Sequence, residues 1–122
     1  MKINKVAIVS KFGSKKSENA AKEIAIKLLK QKFKVYTISP VLVNEAKKVN
    51  SLEELRKVKL DLVITLGGDG TTLRTFRNLE NETPLLAINV GGNRGILSEI
   101  NLDEIDNAIQ HIRKNEIWLD RR

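Results

Sequence analysis

Two rhythms of apolar and polar positions alternate along the chain. Val6-Ala7-Ile8-Val9 is a continuous apolar run, the pattern of a strand buried on both faces. A polar loop from Ser10 to Lys16 follows. Ala21, Ile24, Ala25, Leu28 and Leu29 then recur at helical spacing and predict one buried helix face, with Ser14 or Ser17 as its cap. Val35-Tyr36-Thr37-Ile38 predicts a second strand, closed by Pro40. The stretch from Val41 to Asn50 has no clear period. Ser51-Leu52-Glu53-Glu54 has capping-box spacing and predicts a short helix from Leu52 to Val58.

The second half repeats the alternation. Leu62 to Leu66 predicts a third strand running straight into Gly67-Gly68-Asp69-Gly70. A helix is expected from Thr71, burying Leu73, Phe76 and either Leu79 or Arg77. Pro84 opens a fourth strand, Leu85 to Val90, which ends in a second glycine loop, Gly91-Gly92-Asn93-Arg94-Gly95. Asn101 is expected to cap a last helix, with Glu104 three residues on and Leu102, Ile105, Ile109 and Ile112 on its inner face. Glu116 to Arg122 reads as the opening of another strand, so a further portion of chain is expected beyond it.

Strands separated by helices imply βαβ units with right-handed crossovers. The expected fold class is therefore α/β: a three-layer, open, mainly parallel sheet with flanking helices, in one domain spanning residues 1–122. Ligands of such sheets sit beyond the carboxyl ends of the strands, where both glycine loops lie.

Composition narrows the chemistry. The chain has no cysteine and one histidine, which excludes disulfides, a cysteine nucleophile and a zinc centre. No run approaches the ~20 apolar residues of a membrane span, and no secretory signal pattern opens the chain. A cytoplasmic protein without a membrane partner is the expectation. The net charge of +7 favours an anionic partner, but the basic residues are dispersed and only one Trp and one Tyr are present. Nucleic acid, an acidic membrane surface and phosphorylated small molecules are the anionic classes such a charge admits, and the dispersed pattern reads mostly as a solvated surface rather than a nucleic-acid patch.

Glycines at a strand–helix junction allow close backbone approach to a ligand, and the N–H groups that open the helix favour phosphate. Gly67, Gly68 and Gly70 are therefore candidate phosphate contacts, with Thr71 as a hydroxyl donor and Arg74 as a cation about one helical turn on. Asp69 does not belong in a loop that only cradles phosphate, because a carboxylate repels it. It suits a magnesium ion or a sugar hydroxyl, as the aspartate of a phosphotransferase does. The plainer alternative is a tight turn in which Asp69 caps the helix. Asn89, Gly92, Asn93, Arg94, Gly95 and Ser98 form the second candidate group. The Walker A ending, the Gly-x-Gly-x-x-Gly fingerprint after the first strand and the Gly-x-Ser-x-Gly elbow are all missing from the sequence. His111 lies beside an apolar helix face and reads as packing or solvent-facing.

Leu66-Gly67-Gly68-Asp69-Gly70-Thr71 followed by Leu73-Arg74 resembles the GGDGT signature of NAD kinases. Pro84 to Asn89, with the later Gly95-Ile96-Leu97-Ser98-Glu99, resembles that family's second motif. Ile96 stands where the family has Phe, and Ser98 where it has Thr. The first motif is shared with diacylglycerol and sphingosine kinases and, more loosely, with phosphofructokinases.

The resemblance implies transfer of the γ-phosphoryl group of ATP, or of polyphosphate, to the 2′-hydroxyl of the NAD adenosine ribose, with Mg2+ as cofactor. It implies Asp69 as base, homo-oligomers, and a nucleotide-binding domain like those of phosphofructokinases and diacylglycerol kinases. The resemblance also implies a β-rich second domain, expected to lie outside these 122 residues, so the chain alone is expected to be an incomplete enzyme. A lipid kinase of the same fold and a non-catalytic nucleotide-binding module stand as the alternatives.

Overall fold

The computed structural model describes residues 3–11, 13–67, 69–78, 83–90, 100–101 and 105–113. Its elements run β1 (Lys5–Ser10), α1 (Lys15–Lys30), β2 (Lys34–Ile38), β3 (Lys47–Val49), α2 (Leu52–Leu55), β4 (Leu62–Gly67), α3 (Asp69–Asn78), β5 (Leu85–Asn89), β6 (Ile100–Asn101) and α4 (Ile105–Arg113). The six strands form one sheet in the order β3-β2-β1-β4-β5-β6, and every adjacent pair is parallel. The expected α/β class is borne out.

Burial explains the apolar runs. Strand residues point alternately to the two faces, and helices cover both. Val6, Ile8, Leu62, Ile64, Leu66, Leu86 and Ile88 face the layer that holds α1 and α4. Ala7, Val9, Tyr36 and Val63 face the layer that holds Leu55 of α2. The first layer buries Ile24, Ala25 and Leu28 of α1 with Ile105, Ala108 and Ile109 of α4. Each fully buried Leu or Ile contributes about 1.5–3 kcal/mol of transfer free energy, set against the chain entropy lost on folding.

Local signals place the element ends. The Ser14 hydroxyl accepts from the Ser17 amide at 3.2 Å and caps α1, while Ser17 itself is buried. Ser51 caps α2, accepting from the Glu54 amide at 3.3 Å, and a Glu54 carboxylate oxygen accepts from the Asn50 amide at 2.6 Å. At the amino edge one Asp61 carboxylate oxygen accepts from the amides of Asn4 and Lys5, both at 2.9 Å. That carboxylate, just ahead of β4, holds the start of β1 in register.

Three expectations change. β3 is an additional strand in the stretch without a clear period. Its Lys47 and Lys48 are exposed, as suits a short edge strand that resists pairing with other chains. α3 begins at Asp69, and its buried positions include Thr71 and Thr75, whereas Leu73 is 44% exposed and Arg77 is exposed. Small side chains let this helix approach β4 closely. The Thr75 hydroxyl donates to the Thr71 carbonyl at 2.8 Å, so its burial leaves no unpaired group. Asn101 lies in β6, opposite Asn89, rather than at a helix cap. The side chains of Phe76 and Ile112, and residues Leu79, Leu102, Glu104 and Glu116 to Arg122, lie outside the described residues.

Among the described residues an ion pair links α1 and α4. Lys27 Nζ on α1 lies 2.6 Å from Asp106 Oδ1 on α4 and 3.6 Å from Glu23 Oε1. The hydrogen bond to Asp106 raises the lysine pKa above 10.5, aided by the charges of Asp106 and Glu23 and opposed by partial burial. A raised lysine pKa stabilises the fold fully below 10.5, and the contribution is lost as pH rises through the raised value. Asp106 is 79% exposed, so solvent screens the pair. Asp106→Asn should cost about 0.2–1 kcal/mol in urea unfolding at neutral pH, less at high salt, and nothing once Lys27 is neutral. A loss that persisted above the lysine titration would show that the charge pair is not its source.

Candidate active site at the topological switch point

The strand order dictates where a ligand fits. From β1 the chain moves outward through β2 to β3, and from β4 it moves the other way to β5 and β6. β1 and β4 are hydrogen-bonded neighbours, from Val6 opposite Leu62 to Ser10 opposite Leu66. Their carboxyl ends diverge into loops going opposite ways and leave a crevice between them.

Gly67 ends β4 on that crevice, opposite Asn89 of β5. Its φ of +144° lies where L side chains are strained. A Cβ built there would stand 2.9 Å from the Lys11 Cβ and 3.0 Å from the Thr71 Oγ1. The Lys11 amide donates to the Leu66 carbonyl at 2.9 Å, so the loop leaving β1 is fastened to the last residues of β4. Glycine is thus required at 67 by both backbone conformation and space.

The turn delivers Asp69 as the first residue of α3. The opening N–H groups of a helix lack intrahelical acceptors and carry a positive partial charge, which draws anionic groups. Arg74 is exposed on the same helix and reaches a cleft of about 240 Å3. Val9 and Ser10 of β1, Ile38 and Ser39 at the end of β2, and Asn50 ahead of α2 also line that cleft. Glu18, half-buried in the first turn of α1, faces it from the opposite layer.

Gly67, Asp69, Gly70, Thr71 and Arg74 are therefore brought together at the end of β4 and the start of α3, with Asn89 on the neighbouring strand. The side chains of Asp69 and Asn89 lie outside the described residues, as do Gly68, Gly92, Asn93, Arg94, Gly95 and Ser98. Ser10, Glu18, Ser39 and Asn50 carry no motif and escape sequence reading. Their signal is positional: each lies at or just past the end of a strand, or in the first turn of a helix, at the ligand edge. Among the described residues no group of three or more His, Asp or Glu could cage a metal ion. The site fits Mg2+ only in the mode where phosphates and water supply most ligands and one carboxylate adds to them.

The match to the family model described as "ATP-NAD kinase N-terminal domain" covers residues 6–117. The chain belongs to the ATP-NAD kinase family. The NAD kinase of Picrophilus torridus is 38% identical over 112 residues, 92% of this chain and 39% of that protein. The NAD kinase of Methanothermobacter thermautotrophicus is 28% identical over 120 residues, 97% of this chain and 42% of that protein. The chain thus spans well under half the length of these curated relatives.

Among solved structures, yeast NADH kinase complexed with NADH superposes with a TM-score of 0.80 at 20% identity, over 94% of this chain and 37% of that one. The NAD kinase of Archaeoglobus fulgidus in complex with ATP gives 0.59 at 24% identity, over 91% and 38%. At these identities the likeness shows the shared fold. Membership of the ATP-NAD kinase family leaves the lipid-kinase alternative without support.

Proposed function

We propose that this chain is the nucleotide-binding domain of an NAD kinase, transferring the γ-phosphoryl group of ATP to the 2′-hydroxyl of the NAD adenosine ribose. The observation that carries the reading is the glycine turn at the switch point, which sets a carboxylate residue at the first position of a helix facing the crevice. Family membership and the ligands named for the yeast and Archaeoglobus proteins support it.

Asp69 takes the proton of the 2′-hydroxyl as that oxygen attacks the γ-phosphorus. The bond from γ-phosphorus to the bridging oxygen breaks, and ADP leaves with the electron pair. Gly67, Gly68, Gly70 and the start of α3 offer backbone N–H groups to the phosphates. Thr71 is buried at 7% exposure and holds the turn, while Arg74 offsets phosphate charge. Bound Mg2+ would neutralise charge on the donor phosphates. Asn89, Gly92, Asn93, Arg94, Gly95 and Ser98 are proposed as further nucleotide or phosphate contacts.

The proposed partners are NAD with ATP or polyphosphate, and further copies of the whole protein, without nucleic acid or membrane. No helix among the described residues is long and apolar enough to cross a membrane, which suits the proposed cytoplasmic location. In the whole protein a second domain is proposed to complete the acceptor pocket.

The test is NADP formation from NAD and Mg-ATP by the full-length protein. Product formed at a rate proportional to enzyme is expected. Its complete lack, with both ligands still bound, would replace the kinase reading with that of a binding module.

A further inference from the structure

We propose that the cavity at the amino ends of β1 and β2 is a second ligand site, for a small organic phosphate, separate from the switch-point crevice. The inference does not depend on the kinase reading.

A cavity of about 350 Å3 opens there, lined by Lys5, Lys34 and Lys47. β1 runs from Lys5 at this end to Ser10 at the crevice, and its five steps span about 17 Å. The cavity and the cleft at the carboxyl edge share no lining residue.

The charges at this end are poorly balanced. Lys5 stands opposite Lys34, and Lys47 opposite Tyr36, so the three lysines fall on one face of the sheet. Neighbouring strands are about 4.8 Å apart, and like charges side by side repel. Among the described residues none of the three makes an ion pair. The Asp61 carboxylate at this edge is engaged by the amides of Asn4 and Lys5. Glu45 lines the cavity too, so three lysines less one glutamate leave the lining a net charge of +2. A phosphate monoester carries about −1.5 to −2 at neutral pH and would offset it.

The rest of the lining selects the ligand's body. Leu29, Phe33 and Val35 supply apolar surface beside the lysines. Inorganic phosphate would leave that surface bare, whereas an ester with a ring or short carbon frame would cover it. The volume sits at the lower end of the roughly 300–1,000 Å3 of small-molecule sites, which suits a compact ligand.

The experiment is a lysine footprint of the full-length protein at low salt, with phenyl phosphate as the probe. Limiting N-hydroxysuccinimide acetate labels the lysines, and mass spectrometry reads each one as the probe concentration rises. Acetylation of Lys5, Lys34 and Lys47 should fall together with one midpoint, while Lys22 and Lys48, exposed and outside the cavity, keep their rates. Lys34 and Glu45 are also exposed, so changing either leaves the core intact. Lys34→Gln should raise the midpoint about two- to fivefold, and Glu45→Gln should lower it by a similar factor, as the loss or gain of one net positive charge near solvent dictates.

No protection of the three lysines, or equal protection of Lys22 and Lys48, would overturn the site. A midpoint that neither variant moves would do the same, since a probe held in this cavity must feel both charges. Inorganic phosphate acting at the same midpoint as phenyl phosphate would overturn the assignment to an organic ester.

Discussion

Asp69→Asn in the full-length protein is expected to lower kcat for NADP formation by about 10²–10⁴-fold, with KM for ATP changed little. The amide is nearly isosteric with the carboxylate, so the helix start it occupies should persist. What is lost is the proton acceptor, and general-base catalysis is worth that factor. The competing account makes Asp69 a capping residue only. Asparagine caps a helix about as well as aspartate, so on that account the variant would keep both activity and stability. The two accounts therefore part on kcat at constant melting temperature. A variant with wild-type kcat would strip Asp69 of its chemical role.

Gly67→Ala should damage both fold and activity. Its φ of +144° strains any residue with a side chain, at about 1–3 kcal/mol. The added methyl also meets the Lys11 Cβ at 2.9 Å, and that atom sits against its own backbone rather than at the end of a flexible chain. Either the loop after β1 or the turn into α3 must shift. A shift of about 1 Å at a reacting group costs on the order of 100-fold in rate. Urea unfolding and kcat measured on the same preparation would check both effects. Stability within about 0.5 kcal/mol of wild type, with full turnover, would mean the turn does not carry the geometry assigned to it.

The sequence made the centre of this fold legible and its margins obscure. β1, β4 and β5 are apolar on both faces, so each stands out as an uninterrupted run. α1 shows a clean helical stripe and a serine cap. β3 lies at the sheet edge with Lys47 and Lys48 in solvent, and it has neither apolar run nor alternation to betray it. α3 misled because apolar residues were expected inside. The helix packs close to β4 through threonines and leaves Leu73 outward.

The same contrast holds for the site. Gly67 to Arg74 form one contiguous segment, so a motif records them. Ser10, Glu18, Ser39 and Asn50 meet only because the chain returns three times to the same sheet edge. No local spacing encodes such a meeting; strand order does.

The closeness of the two loops at the crevice also limits which residues the chain can accept elsewhere. The Lys11 Cβ occupies the space a side chain at 67 would need, and its amide is spent on the Leu66 carbonyl. Valine, isoleucine or threonine at 11 would put a second heavy atom on that Cβ, directly against the glycine. Proline would forfeit the amide. A residue outside the lining of the cleft is thereby restricted to unbranched side chains by a glycine far along the chain. Substitutions at the two positions should act as one unit, so each alters which mutations the other can tolerate.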